Sequence, residues 1–189
     1  MKSLAQINTY LNAEWKLTDK DGKTKKVFQD NALFRFLMKH GIVSPLFPKI
    51  PFILGYWSDT KKVRNLVTNA GFAGMAGLCN GSGAPAAFTY IAIGTGTTAA
   101  AVTDTTLGTE LSTGGLGRAA ATVSLVTISV TNDTAQLINT FTSSTSAAIT
   151  ESGVFNAASV GTLLCRQVFS VISVTPGNNL QITWKVQMH

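Results

Sequence analysis

The last strand-like stretch of this chain constrains its fold most. From Asn179 to Met188, apolar and polar residues alternate without a break. Leu180, Ile182, Trp184, Val186 and Met188 fall on one side, and Asn179, Gln181, Thr183, Lys185 and Gln187 on the other. A period of two is that of a strand buried on one face; a helix would scatter the same five apolar residues around its circumference. The pattern predicts Ile182, Trp184 and Val186 in a core, after a turn at Pro176-Gly177-Asn178-Asn179. Such a strand needs partners, and the chain offers several upstream.

Phe88–Gly94 is apolar and aromatic, and Ala147–Phe155 and Leu163–Val174 have strand composition. Ala119–Thr131 reads as one long strand whose apolar phase changes near Leu125-Val126, which predicts a bulge. Thr134–Thr142 would pair with it across Asn132-Asp133. Closely spaced strands with no helix between them predict a mainly β chain, an antiparallel β-sandwich of jelly-roll-like or barrel-like form. With 189 residues the chain can bury a core without metals or disulfides. Cys79 and Cys165 are too few for a disulfide scaffold or a four-ligand zinc site. They read as two reduced thiols or as one bridge.

The first third differs. Residues 12–29 read as a hairpin, with Trp15 and Leu17 alternating, Asp21-Gly22 at the turn, and Val27 and Phe28 on the return strand. A short helix follows, capped by Asp30 or Asn31, with Leu33, Phe34, Leu37 and Met38 at helical spacing and Gly41 as its stop. His40 in its last turn is accounted for by the helix dipole. In residues 42–57, Pro45, Pro48 and Pro51 recur every third residue, which forbids helix and favours an extended apolar strip. The strip is an intrachain crossover, an intersubunit docking arm or a membrane contact; docking is the favoured expectation. Residues 60–80 read as partly helical, with Val63, Leu66 and Val67 on one face. A second turn capped by Asn69 would run through Phe72 and Met75 to Asn80-Gly81, where Gly71, Gly74 and Gly77 would allow close packing.

Charge follows the same division. Residues 1–64 hold twelve Lys and Arg against five Asp and Glu, a net +7; residues 65–189 hold three against four, a net −1. The excess includes Lys23, Lys25 and Lys26. Basic arms bind phosphates or dock on acidic protein surfaces. Weak aromatic interleaving disfavours single-stranded nucleic acid. No apolar run is long enough to span a membrane, and the N-terminus lacks a signal-peptide pattern.

Catalytic and cofactor motifs are sparse. Gly94-Thr95-Gly96-Thr97-Thr98 follows a strand, but it lacks the lysine of a phosphate loop and the third glycine of a dinucleotide fingerprint. Asp104, Glu110, Asp133 and Glu151 are the only carboxylates after residue 60, and nothing in their spacing pairs two of them. His40 has no apparent nucleophile or acid partner. The expectation is a protein without catalysis, cofactor or metal. Arg118 and Arg166 are expected to pair with carboxylates such as Glu110 or Glu151 as structural latches.

The stretch LVTNAGFAGMAGLCNGSGAPAAFTYIAIGTGTTAAAVTDTTLGTEL (66–111), then GLGRAAATVS (115–124) and the segment from Thr140 to Val186 with ITESGVFNA and LQITW, resembles a module of tailed-bacteriophage structural proteins often labelled tail-fibre-like. The match covers residues 60–188 and rests on the combination of segments. The resemblance implies a homo-oligomeric β-sandwich on the exterior of a virion made in the bacterial cytoplasm, a trimer by analogy with phage fibre and decoration elements. It leaves open a tail fibre or collar component against a capsid decoration or cement protein. A host-receptor or glycan-binding module is the alternative, and a depolymerase is disfavoured.

The chain is thus expected to divide into a docking arm, residues 1–59, holding a hairpin and one or two short helices, and a sandwich, residues 60–189, with a leading helix. The arm residues expected to meet other virion proteins are Pro45, Leu46, Phe47, Pro48, Ile50, Pro51, Phe52, Tyr56, Trp57, Lys23, Lys25 and Lys26. Without residues 1–57 the sandwich is expected to fold but not to enter the particle.

Overall fold

The computed structural model describes residues 9–46, 49, 53–64, 66–83 and 85–188. In chain order the first elements are β1 (Thr9–Thr18), β2 (Thr24–Lys25), β3 (Val27–Asp30), α1 (Ala32–Lys39), β4 (Gly55–Ser58), β5 (Lys61–Arg64), β6 (Leu66–Val67) and α2 (Asn69–Asn80). Then come β7 (Tyr90–Gly94), β8 (Ala119–Ala120), β9 (Thr122–Val126), β10 (Thr134–Thr142), β11 (Ala147–Phe155), β12 (Leu163–Val174) and β13 (Asn179–Met188). The chain is mainly β, and its strands pair antiparallel.

The alternating strand β13 lies inside the larger sheet, β2-β1-β13-β10-β9, with β5 also on the edge of β1. The second sheet runs β6-β12-β11-β7-β8, and β3 and β4 form a small third one. The two main sheets share one core: Trp15, Leu137, Ile182 and Trp184 from the first, Ile91, Ile149, Phe169 and Ile172 from the second. Trp15 packs on Phe169 with ring centroids 4.5 Å apart. Trp184 Nε1 donates across the sandwich to Ser152 Oγ at 3.3 Å, the kind of partner a buried indole N–H usually finds. Ile182, Trp184 and Val186 are buried as their alternation predicts, whereas Met188 at the strand end is exposed. The architecture is an antiparallel sandwich; the sheet orders alone do not make it a jelly roll.

Three local expectations change. Lys61–Arg64 and Leu66–Val67 form strands β5 and β6, not a helix face, because the open edges of β1 and β12 take up their backbone groups. Helix α2 is capped by Thr68 rather than Asn69: its Oγ1 accepts from Gly71 N–H at 2.9 Å and donates to Leu163 O at 2.6 Å. Helix and strand touch there, since a Cβ on Gly71 would collide with Leu164 O and lie 2.8 Å from Leu164 C and Cα. The stretch from Ala119 is two strands. β8 pairs with β7 in one sheet and β9 with β10 in the other, and Ala121 N–H donates to Thr89 O at the crossing. The phase change reflects this passage between sheets, and β9 ends at Val126.

The first third is likewise partly inside the sandwich. β1 pairs with β13 at ten positions, from Thr9↔Met188 to Thr18↔Asn179. Its hairpin with β2 closes at Asp19, whose carboxylate accepts from Asp21 and Lys23 N–H. Val27 and Phe28 do not return along β1; they lie in β3, which pairs with β4. Helix α1 is capped by Asn31 and stops at Gly41, as read from the sequence. The boundary at residue 59 therefore does not separate an arm from a sandwich: Trp15 and Leu17 belong to the common core.

Candidate functional site

The densest buried charge lies on the outer face of the second sheet. A register shift between Ile149 and Glu151 on β11 turns Thr150 and Glu151 both toward the chain that leaves β7. Thr150 Oγ1 donates to Gly96 O at 2.8 Å. Glu151 Oε1 accepts from Gly96 N–H at 2.9 Å and Thr109 N–H at 2.7 Å, and its Oε2 accepts from Gly108 N–H at 2.9 Å. From β12, Arg166 Nε meets Oε2 at 2.9 Å, while Nη1 reaches Asp104 Oδ2 at 2.7 Å and Nη2 reaches Thr98 O at 3.0 Å. Glu151 and Arg166 are both buried.

The glycine loop is therefore an anion cradle, and the anion is the protein's own carboxylate. The N–H of Gly96 and the successive N–H groups of Gly108 and Thr109 converge on Glu151 as they would on a phosphate. A Cβ on Gly96 would lie 2.7 Å from Glu151 Cδ, and one on Gly94 would lie 2.5 Å from Oε1. This accounts for the glycines without an external ligand. Leu107 then seals the loop onto Ala92, Phe155 and Leu163.

Arg118 forms the second latch. It holds Glu110 bidentately, Nε to Oε1 at 2.8 Å and Nη2 to Oε2 at 2.7 Å. Its Nη1 donates to Ala157 O and Val160 O, and its guanidinium lies 3.5 Å from the Phe155 ring centroid. Both arginines thus pair with the carboxylates expected from the sequence. Asp104, as the second partner of Arg166, was not legible there, because the loop's path sets that distance.

Among the described residues, those expected in a docking arm do not gather into one patch. Lys25 Nζ bonds Asn178 Oδ1 at 3.3 Å, Lys26 pairs with Asp59 at 2.8 Å on the surface, and Lys23 is exposed. Pro45 is buried in its own chain, its carbonyl accepting Val171 N–H, and Leu46 is exposed. Tyr56 and Trp57 on β4 are 59% and 49% exposed, with Lys49 Nζ 5.4 Å from the Trp57 ring centroid. Phe47, Pro48, Ile50, Pro51 and Phe52 lie outside the described residues.

Two features escaped the sequence reading. One is Lys61, buried opposite Trp15, with Nζ bonded to Asp30 Oδ2, Phe28 O and Ser170 Oγ. A lysine in a basic run reads as solvated; only the pairing of β5 with β1 turns it inward. The other is edge strand β9. Val123 and Leu125 sit opposite Leu137 and Ala135, which line the core, yet are 54% and 62% exposed. With Phe88 they line a shallow apolar groove. The two cysteines are free, Cys79 exposed and Cys165 buried. No protein-family model matches the chain, and neither a curated protein nor a solved structure does.

Proposed function

We propose that this chain is a non-enzymatic structural protein of a tailed-bacteriophage particle, displayed on the exterior as a homo-oligomer. It would serve as a tail fibre or collar component or as a capsid decoration. The observation that carries the reading is the uncovered seam at β9. An edge strand exposes unpaired backbone groups, and natural monomers guard such edges with lysine, proline or bulges. Here the strand is Thr-Val-Ser-Leu-Val, and no charged residue occurs from Ala119 to Asn132. Another copy could cover Val123 and Leu125 without burying a charge. The segments behind the phage resemblance, the glycine loop and the ITE strand, hold the outer loop to the sheet, which suits a rigid building block.

The test is light scattering on the full chain, with labelling of particles by antibody against it. An oligomer, threefold by analogy, and labelling at one particle location are expected. A monodisperse monomer at high concentration that labels no particle would sink the reading. A receptor or glycan-binding role has one observation in its favour, the exposed Tyr56 and Trp57 beside Lys49. A glycan that protects Trp57 from oxidation would select it.

A further inference from the structure

We propose that Lys61 and Asp30 condense into an intramolecular isopeptide bond that staples the β3–β4 unit to the sandwich. Asp30 ends β3, Lys61 begins β5, and Ser170 lies on β12. Lys61 Nζ stands 2.6 Å from Asp30 Oδ2, with both side chains fully buried. The nucleophile is thus held against the carboxyl it would attack, a proximity otherwise supplied only by an enzyme.

Burial also favours the reactive form of the amine. A buried ion pair costs desolvation of both charges, and two neutral groups do not. Desolvation lowers the Lys61 amine to about 8, even though Asp30 acts to raise it. At neutral pH roughly a tenth is then free amine, about two to three hundred times the fraction in an ordinary lysine. Asp30 Oδ1 is buried and has no hydrogen-bond partner among the described residues. The proton that Lys61 sheds passes to Asp30 Oδ2, 2.6 Å away, and makes the hydroxyl that must leave.

The step balances without a co-reactant. The Nζ lone pair attacks Asp30 Cγ, and a C–N bond forms. One amine proton passes to the departing hydroxyl through Ser170 Oγ, 2.7 Å from Nζ. The Cγ–O bond breaks and one water leaves. The amide keeps one N–H for Phe28 O, where Nζ now donates at 2.7 Å.

The experiment is intact-mass spectrometry of the full chain, folded and incubated at mildly alkaline pH, followed by digestion and tandem sequencing. The expected result is a mass one water below that of the sequence, with a branched peptide joining Asp30 to Lys61. Asp30→Asn should give the same amide with loss of one ammonia instead, and Lys61→Arg should retain the full mass. The full sequence mass in folded wild-type protein would overturn the proposal and leave an ordinary ion pair. So would a water loss mapped to Asp21-Gly22, where ring closure to an aspartimide gives the same mass change. Neither result bears on oligomerisation or particle location.

Discussion

Glu151 and Arg166 meet beneath the loop that leaves β7, Nη2 to Oε2 at 2.8 Å, with neither side chain reaching solvent. Each charge has the other as its compensation, and three backbone N–H groups depend on the same carboxylate. Glu151→Ala leaves a buried guanidinium with Asp104 as its one remaining carboxylate and three N–H groups unpaired. We expect a loss of about 3–5 kcal/mol in urea denaturation. Glu151→Gln should cost nearly as much, because its amide N–H₂ must face either the guanidinium or a backbone donor. A Gln variant as stable as wild type would show that the loop does not depend on the charge.

The same cradle makes Gly96 a matter of space. Gly96→Ala places a methyl against Glu151 Cδ, and either the loop or the carboxylate must move. Overpacking of this kind costs about 1–3 kcal/mol. A melting temperature unchanged in the Ala variant would show that the loop stands further from β11 than described.

Core thiol reactivity offers a third check. Burial pushes the Cys165 thiol well above its usual range, while Cys79 is exposed on α2. Native protein should react with iodoacetamide once per chain, at Cys79, and take up a second label only on unfolding. Prompt double labelling would place Cys165 outside the core.

The last strand is legible because a period of two over ten residues has no helical reading, and the strands before it are legible from their composition and the turns between them. Register was less so. Nothing in Ala119–Val126 tells that Ala121 passes from one sheet to the other, since the length of β8 is set by what β7 can pair with. The first third misled for a related reason. Its basic charge and proline spacing point outward, and the alternation of Trp15 and Leu17 predicts a local hairpin, although the same pattern serves equally a strand inside a larger sheet. The arginine latches were legible because so few charges remain after residue 64; the inward turn of Lys61 was not, because it depends on long-range pairing.

Deleting residues 1–57 is therefore expected to do the opposite of what charge and composition suggest. The deletion removes β1, exposing the full edge of β13 and opening the core at Trp15, which touches Phe169. Residues 58–189 alone should be insoluble or lack a cooperative melt. Trp15→Ala in the full chain should cost about 3–5 kcal/mol. A soluble, cooperatively melting truncation would restore the division at residue 59.

Leu125→Lys separates assembly from folding. Leu125 is 62% exposed, so replacing it removes little from the core of one chain. Its neighbours on that face are Val123, on the same strand, and Ala135, across from it on β10. A lysine there can extend into solvent in an isolated chain. In an assembly whose copies meet at β9, the ammonium would be buried without a partner, a cost of several kcal/mol at every contact. Lysine on an edge strand is also the residue by which natural sheets prevent such pairing. The expected outcome is a variant with wild-type circular dichroism and a melt within about 1 kcal/mol of wild type, but monomeric by light scattering. If the variant loses its fold, Val123 and Leu125 belong to the core of the single chain. If it folds and still assembles, the copies meet elsewhere, and the exposed aromatic pair on β4 becomes the next surface to substitute.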